Sequence, residues 1–411
     1  MNFTKSQELF QEALELLPGG VKGIRHPDFY VPGAYPIFLK AGKGGRITDV
    51  DGNEYIDWLC SYGPNILGHG HPRICEMVLR EAQKGFCLTL CQPVQNRLAQ
   101  RLKELIPCAE RVIFVTTGSE CTTSAVRIAR IHTKREIVLR CGYQGFHDWC
   151  VPYTDGVAKS AQESVLKFEF GDLDQLEGLI RRHGENIACV IMTPIGHDAR
   201  RPMIIPSKEY LASIRKITAD YGIVLIFDEI RTGFRLALGG AQEFFGVVPD
   251  MATFSKAISN GFPLAAVVMK KELDASAQKA YISATYFPNS TPMEAALITL
   301  DEIEKNKLID HVWNIGEAVQ QGMQELAGQY GIPITISGLG PIFYMHFDED
   351  LIENTVQLGE TTRTFYAEMI KRGVFLNPIH NWFVCGAHSE EDVAQTLQAT
   401  EDSLKIVKAG R

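Results

Sequence analysis

The sequence predicts an α/β protein with a mostly parallel central sheet, followed by a smaller α+β C-terminal domain. Three observations predict it. Short apolar runs recur between about residues 110 and 270: Arg111–Val115, Ile187–Ile191, Ile223–Phe227, Met251–Phe254 and Leu264–Met269. These runs are unbroken rather than alternating, which marks strands covered on both faces. Longer stretches of helical period separate them, such as the one carrying Val126, Ile128, Ala129 and Ile131, so the strands are joined as βαβ units and run largely parallel. From about residue 296 the pattern changes, with helical periodicity over Ala296–Tyr330 and short strands around Ile334–Phe347.

Taken in order, Met1–Pro18 sets Glu8, Glu12 and Glu15 between Leu and Phe residues. That spacing predicts an amphipathic surface helix, since a secretory signal needs a basic start and an unbroken apolar core. Pro18-Gly19-Gly20 and Pro32-Gly33 predict a winding loop, and Asp51-Gly52-Asn53 a hairpin. The expected organisation is an N-terminal segment over 1–60, a large domain over 61–295 and a small domain over 296–411, closed by a helix over Glu390–Lys408.

Composition removes several function classes. Of 411 residues, 45% are hydrophobic and 22% charged, the balance of an ordinary soluble globular chain. The formal net charge of −8, with no basic patch, argues against a nucleic-acid or anionic-membrane partner. No apolar run approaches the roughly 18 residues that span a bilayer, and a cytoplasmic location is expected. The ten cysteines contain no C-x-x-C pair and are read as buried, reduced thiols. His69-Gly70-His71-Pro72 lacks a nearby acidic or cysteine partner and is read as a turn, with no metal expected.

In parallel sheets the ligand sits beyond the carboxyl ends of the strands. Thr117-Gly118-Ser119 follows the run ending at Val115 and opens a helix. Backbone N–H groups at a helix start, two hydroxyls and a glycine make an anion cradle, although an ordinary serine cap followed by Glu120 has the same letters. Asp228 closes the run Val224–Phe227. Four apolar residues before Asp-Glu also end a Walker-B strand, but G-x-x-x-x-G-K-[ST] is absent from the chain. Asp228 is then either paired with Arg231 or Arg235 or serves a cationic ligand atom. Lys256 follows Met251–Phe254. In a cleft, desolvation would lower its pKa and free the amine as a nucleophile; on the surface it would be an ordinary lysine. An anion cradle, a buried-strand aspartate and a strand-end lysine are together the parts that pyridoxal 5′-phosphate (PLP) requires, and Tyr143 offers an aromatic face for the ring.

On these residues the sequence resembles the class-III PLP-dependent aminotransferases of fold type I, in particular glutamate-1-semialdehyde aminomutase-like enzymes and aminoglycoside-pathway sugar aminotransferases. The motifs that carry the resemblance span nearly the whole chain: Pro18-Gly19-Gly20-Val21 with Arg25, Asp49 to Asp57, Leu67 to Pro72, Phe114 to Glu120, Asp228-Glu229-Ile230 with Thr232 to Arg235, and Gly239 to Gln242. The resemblance implies that Lys256 is the Schiff-base lysine and proton shuttle, and that Asp228 pairs with the ring nitrogen. It implies that Ile230 packs under the ring, Thr117, Gly118 and Ser119 bind phosphate, and Tyr143 stacks on the ring with Gln144 beside it. Thr285 matches a threonine that reaches the neighbouring subunit's phosphate, which implies a homodimer with shared active sites.

The departures concern the substrate. Tyr143-Gln144-Gly145 stands where the family usually has Tyr-His-Gly, and Thr193-Pro194-Ile195 where it has Glu-Pro-Val. The aminomutase's acidic C-terminal segment is replaced by Asn377-Pro378-Ile379-His380-Asn381-Trp382-Phe383, and no C-terminal arginine matches those that grip an α-carboxylate. His380, Asn381 and Trp382 would suit a polar, ring-shaped acceptor such as an amino sugar or aminocyclitol, with glutamate or glutamine as amino donor. Arg25 would take a donor carboxylate or else pair with Asp28, and Trp382 would contact substrate or else be a core aromatic. Aminomutase activity, or racemisation or epimerisation on the same fold, is the alternative.

Overall fold

Every residue of the strands Ile187–Met192, Val224–Asp228, Met251–Phe254 and Ala265–Met269 is buried. The computed structural model, which describes residues 1–353 and 355–410, therefore bears out the reading of those apolar runs as strands covered on both faces. They belong to a seven-stranded sheet in the order Arg111–Val115, Ala265–Met269, Met251–Phe254, Val224–Asp228, Ile187–Met192, Ile137–Cys141, Val165–Lys167. The last five strands pair in parallel, and Ala265–Met269 runs antiparallel to both its neighbours. Helix Gly118–Thr133 turns Cys121, Ala125, Ile128 and Ala129 into a core with Val138, Ile191, Ile226 and Val267. At roughly 1.5–3 kcal/mol for each large aliphatic side chain, this stripe is the main attachment of the helix to the sheet.

The chain divides into two units by contact: Met1–His71, His197–Met203 and Asp310–Arg411 in one, Pro72–Gly196 and Ile204–Ile309 in the other. Residues 1–60, expected as an N-terminal segment, lie within the first of these units. Val374–Phe375 pairs in parallel with Ile56–Asp57 and extends the hairpin sheet of Leu39–Lys43, Arg46–Asp49 and Glu54–Asp57, so the first residues fold with the last. The first helix, Thr4–Leu16, is pinned at its start because the Asp51 carboxylate accepts the N–H groups of Lys5 and Ser6 at 2.8 and 2.9 Å. The expected helical stretch over 296–330 is two helices, Ser290–Lys305 and Leu308–Tyr330. The strands Ile334–Leu339 and Ile342–Phe347 form a hairpin completed by Trp382–Phe383, and helix Glu390–Ala409 closes the chain behind a Ser389–Asp392 capping box.

Among the described residues no helix is long and apolar enough to cross a membrane. The cysteines need one correction: Cys75, Cys87 and Cys91 are exposed, and the other seven are buried.

Candidate active site

Five strand ends of the seven-stranded unit converge in topology, and each delivers a polar group. Thr117 follows Val115, Tyr143 follows Cys141, Thr193 follows Met192, Asp228 is the last residue of its strand, and Lys256 follows Phe254. This is the edge at which parallel sheets place their ligands.

The helix start is capped and still leaves two N–H groups open. Thr117, not Ser119, is the N-cap: its Oγ1 accepts the Glu120 N–H, and the Glu120 carboxylate accepts the Thr117 N–H at 2.7 Å. Of the four N–H groups a helix start leaves without intrahelical partners, the capping box takes those of Thr117 and Glu120. Those of Gly118 and Ser119 remain for an anion. Space here is tight. A Cβ on Gly118 would sit 2.7 Å from Ile230 Cδ1, and Gly145, at φ +117°, packs on Ser119, whose Oγ accepts the Phe146 N–H at 3.2 Å.

Asp228 is buried, and its Oδ1 accepts from the Ile230 N–H and the Thr253 hydroxyl, each at 3.2 Å. Its other oxygen has no hydrogen-bond partner among the described residues, which leaves an acceptor open to a ligand N–H. Burial pushes the carboxyl up to about 6, against the pull of those two bonds and of the Arg231 and Lys256 charges. Burial also holds the Lys256 amine well below the usual lysine range, with Arg231 adding to the effect and Asp228 opposing it. Lys256 adopts φ +50°, a left-handed conformation that costs a non-glycine residue roughly 1–2 kcal/mol. The adjacent Glu229 plays a structural part. It is fully buried and accepts from Ala241 N, Gln242 N, Gln242 Nε2 and Thr232 Oγ1, which locks the Gly239–Ala241 turn.

Two orphaned acceptors complete the arrangement. Gln144 is buried and donates its Nε2 to the Cys141 carbonyl at 2.5 Å, which leaves Oε1 unpartnered; the Thr193 hydroxyl is likewise buried without a partner. Both flank Gly142, and such atoms call for a ligand or ordered water. Tyr143 keeps 43% of its surface exposed, and Thr285 lies in the exposed stretch 283–286. An open aspartate oxygen, two free helix-start N–H groups, an exposed aromatic face and a desolvated amine fit a flat, cationic, phosphate-bearing ring.

The substrate candidates lie in the other unit, and the structure brings some of them together. Tyr62 is the side chain that sequence reasoning missed. Cys60, Ser61 and Tyr62 are consecutive non-glycine residues at φ +46°, +57° and +68°, and they present the Tyr62 ring. Its hydroxyl donates to the Ile24 carbonyl at 2.8 Å and meets the Tyr30 hydroxyl at 2.7 Å. The Arg25 guanidinium lies 5.7 Å over the ring, and His380 meets the ring edge-on at 5.1 Å. Asp28 pairs with His26 at 3.2 Å, so the alternative Arg25–Asp28 pair gives way. Asn381 is buried, and its carbonyl bonds His380 Nδ1 at 2.8 Å. Trp382 is corrected to a core aromatic: it is fully buried, donates its indole N–H to the Asn377 carbonyl at 2.8 Å, and packs on Phe343 and Tyr366. No signal in the sequence marks the left-handed turn, because none of residues 60–62 is glycine.

Comparison with known proteins agrees with this geometry. The family profile for aminotransferase class-III matches residues 30–389. A 3-aminobutyryl-CoA aminotransferase from Cloacimonas acidaminovorans is 42% identical over 411 residues, covering 99% of this chain and 98% of that one. A glutamate-1-semialdehyde 2,1-aminomutase from Methanobrevibacter smithii is 35% identical over 424 residues, covering 98% of each. Among solved structures, the PLP internal aldimine form of the FumI protein from Sphingopyxis sp. superposes with a TM-score of 0.93 at 27% identity, covering 98% of this chain and 96% of that one.

Proposed function

The chain belongs to the class-III aminotransferases, which use PLP, and from that premise we propose that its amino substrate is a 3-aminoacyl thioester of the 3-aminobutyryl-CoA kind, with glutamate and its 2-oxo acid as the other pair. The observation that carries this reading is the 42% identity maintained over 99% of the chain. The departures read from the sequence support it. A thioester carbonyl is uncharged, so a site for it needs no arginine to grip a carboxylate at that end, and Thr193 leaves the strand end beside Gly142 neutral where the family usually has glutamate. The amino-sugar reading loses one of its three supporting side chains with Trp382 in the core.

When bound, the cofactor supplies an aldehyde that condenses with amines and a protonated ring that accepts electrons from the bond being broken. The chain's own residues do the rest in this proposal. Asp228 presents its unpartnered oxygen to the ring N–H and keeps that nitrogen protonated. The Gly118 and Ser119 N–H groups and the nearby hydroxyls would hold the phosphate, and Ile230 and Tyr143 would pack against the ring. Lys256, whose amine burial and the Arg231 charge hold well below the usual lysine range, would be the residue that bonds the cofactor aldehyde and the base that carries a proton at the site. Arg25, over Tyr62, takes the glutamate carboxylate. Thr285 reaches the phosphate of a partner subunit in a homodimer.

A second reading, glutamate-1-semialdehyde aminomutase, is favoured by relatives 33–35% identical across the full chain. Incubating the PLP-loaded enzyme with 3-aminobutyryl-CoA and 2-oxoglutarate separates the two. Formation of glutamate with the 3-oxoacyl thioester is expected. Glutamate-1-semialdehyde turning into 5-aminolevulinate without any external donor, while the thioester is left untouched, would overturn the proposal.

A further inference from the structure

Two loops of the unit formed by the chain ends bring soft donors together in its interior. Cys60 lies just beyond strand Glu54–Asp57, and Cys385 and His388, spaced as C-x-x-H, follow strand Trp382–Phe383. Their ligand atoms all lie within 4.8 Å of one another, and the three residues are only 2%, 1% and 1% exposed. Each is held in place. The Asp57 carboxylate accepts the Leu59 and Cys60 N–H groups at 3.0 Å each. The Cys385 N–H donates to His388 Nδ1 at 3.2 Å, the His388 ring stacks on Trp58 at 4.2 Å, and the His388 carbonyl bonds His311 Nε2 at 2.8 Å. With His388 Nδ1 accepting the Cys385 N–H, a neutral ring carries its proton on Nε2, which is buried without a hydrogen-bond partner, so zinc would take the Nδ1 lone pair in place of that N–H. The Asp57 and Phe383 carbonyl oxygens approach Cys60 Sγ to 3.2 and 3.4 Å.

We propose that Cys60, Cys385 and His388 form a zinc site that ties these two loops together. Two sulfurs and an imidazole are the donors zinc prefers, and one of the two carbonyl oxygens, or a water, completes the tetrahedron. Charge selects the ion. Zinc with two thiolates and a neutral imidazole sums to zero, whereas a monovalent soft ion would leave the same three ligands with a net negative charge, the costlier state in this interior. Both cysteines bind as thiolates, so metal binding is coupled to proton release. The site has no part in the transamination chemistry proposed above, so either can fail without the other.

The test uses the PLP-loaded enzyme with the exposed Cys75, Cys87 and Cys91 changed to serine, equilibrated with zinc chloride, desalted and analysed by mass spectrometry for metal. About one zinc per chain is expected, falling at least tenfold on adding Cys385→Ser. Cobalt in place of zinc should give the long-wavelength bands of tetrahedral thiolate coordination, a readout that requires no variant at the site should Cys385→Ser fail to fold. The proposal is overturned by zinc below a tenth of an equivalent, by equal retention in folded Cys385→Ser, by a cobalt spectrum without those bands, or by peptide mapping that finds Cys60 and Cys385 joined as a disulfide.

Discussion

Replacing Asp228 by asparagine separates what the carboxylate costs the empty chain from what it contributes to the holoenzyme. In the folded chain its pKa is raised from the ordinary 3.8 to about 6 by burial. The native state therefore holds a proton that the unfolded state has lost across that window, so the stability of the cofactor-free chain falls as pH rises from about 4 through 6. At about 1.4 kcal/mol per pH unit the penalty levels off at roughly 3 kcal/mol above that range. Asp228→Asn removes the ionised form and keeps the shape. The cofactor-free variant should therefore be more stable than the parent at pH 8, by up to about 3 kcal/mol, with the difference vanishing near pH 4. The same change should weaken PLP retention about tenfold, since a charge-assisted hydrogen bond to the ring N–H becomes a neutral one, and turnover should fall far more. Urea unfolding of the cofactor-free chain at the two pH values, with PLP titration at pH 8, checks all three outcomes. A variant that is equally destabilised at both pH values and binds PLP as tightly as the parent would refute the reasoning.

Lys256→Ala should remove turnover and the visible absorption of the loaded enzyme while leaving the melting temperature of the cofactor-free chain unchanged or higher, because a desolvated amine is lost; differential scanning calorimetry beside absorbance measures both. Gly118→Ala should weaken PLP binding about tenfold by driving a Cβ onto Ile230 Cδ1 at 2.7 Å, and Ile230→Val in the same chain should restore part of it, as a fluorescence titration would show. Glu229→Ala strands four hydrogen-bond donors and should cost about 3 kcal/mol or more in urea unfolding. Tyr62→Phe removes the hydroxyl shared by Tyr30 and Ile24, and should raise KM for glutamate several-fold with little change in kcat, if Arg25 depends on that ring for its position.

The strand ends were legible in the sequence because a two-face-buried strand must be continuously apolar, so Asp228 and Lys256 stand out where each run stops. The two-unit division was not. Residues 1–60 show helix, loop and hairpin signals of their own, and nothing local reveals that Val374–Phe375 will pair with Ile56–Asp57. The helix start at Thr117 was half legible: the letters give a cap or a cradle, and only the path of the Glu120 side chain shows that the cap forms on Thr117 and leaves the Gly118 and Ser119 N–H groups open. Tyr62 was illegible because its conformation is imposed by neighbours such as Tyr30 and Asp57 rather than by its own residue type. Trp382 shows the converse, since an aromatic beside His and Asn has the same letters in a pocket as in a core.

The pairing of the two chain ends also orders the birth of the molecule. Trp58 gives its indole proton to Thr396, a partner 338 positions downstream. On the ribosome the first seventy-odd residues emerge long before that partner is made, whereas the seven-stranded unit is built wholly from residues between 72 and 309. The sheet that carries Asp228 and Lys256 can be finished while the early residues still wait for the tail, and a transcript cut short in its final hundred codons would yield that sheet without its companion unit.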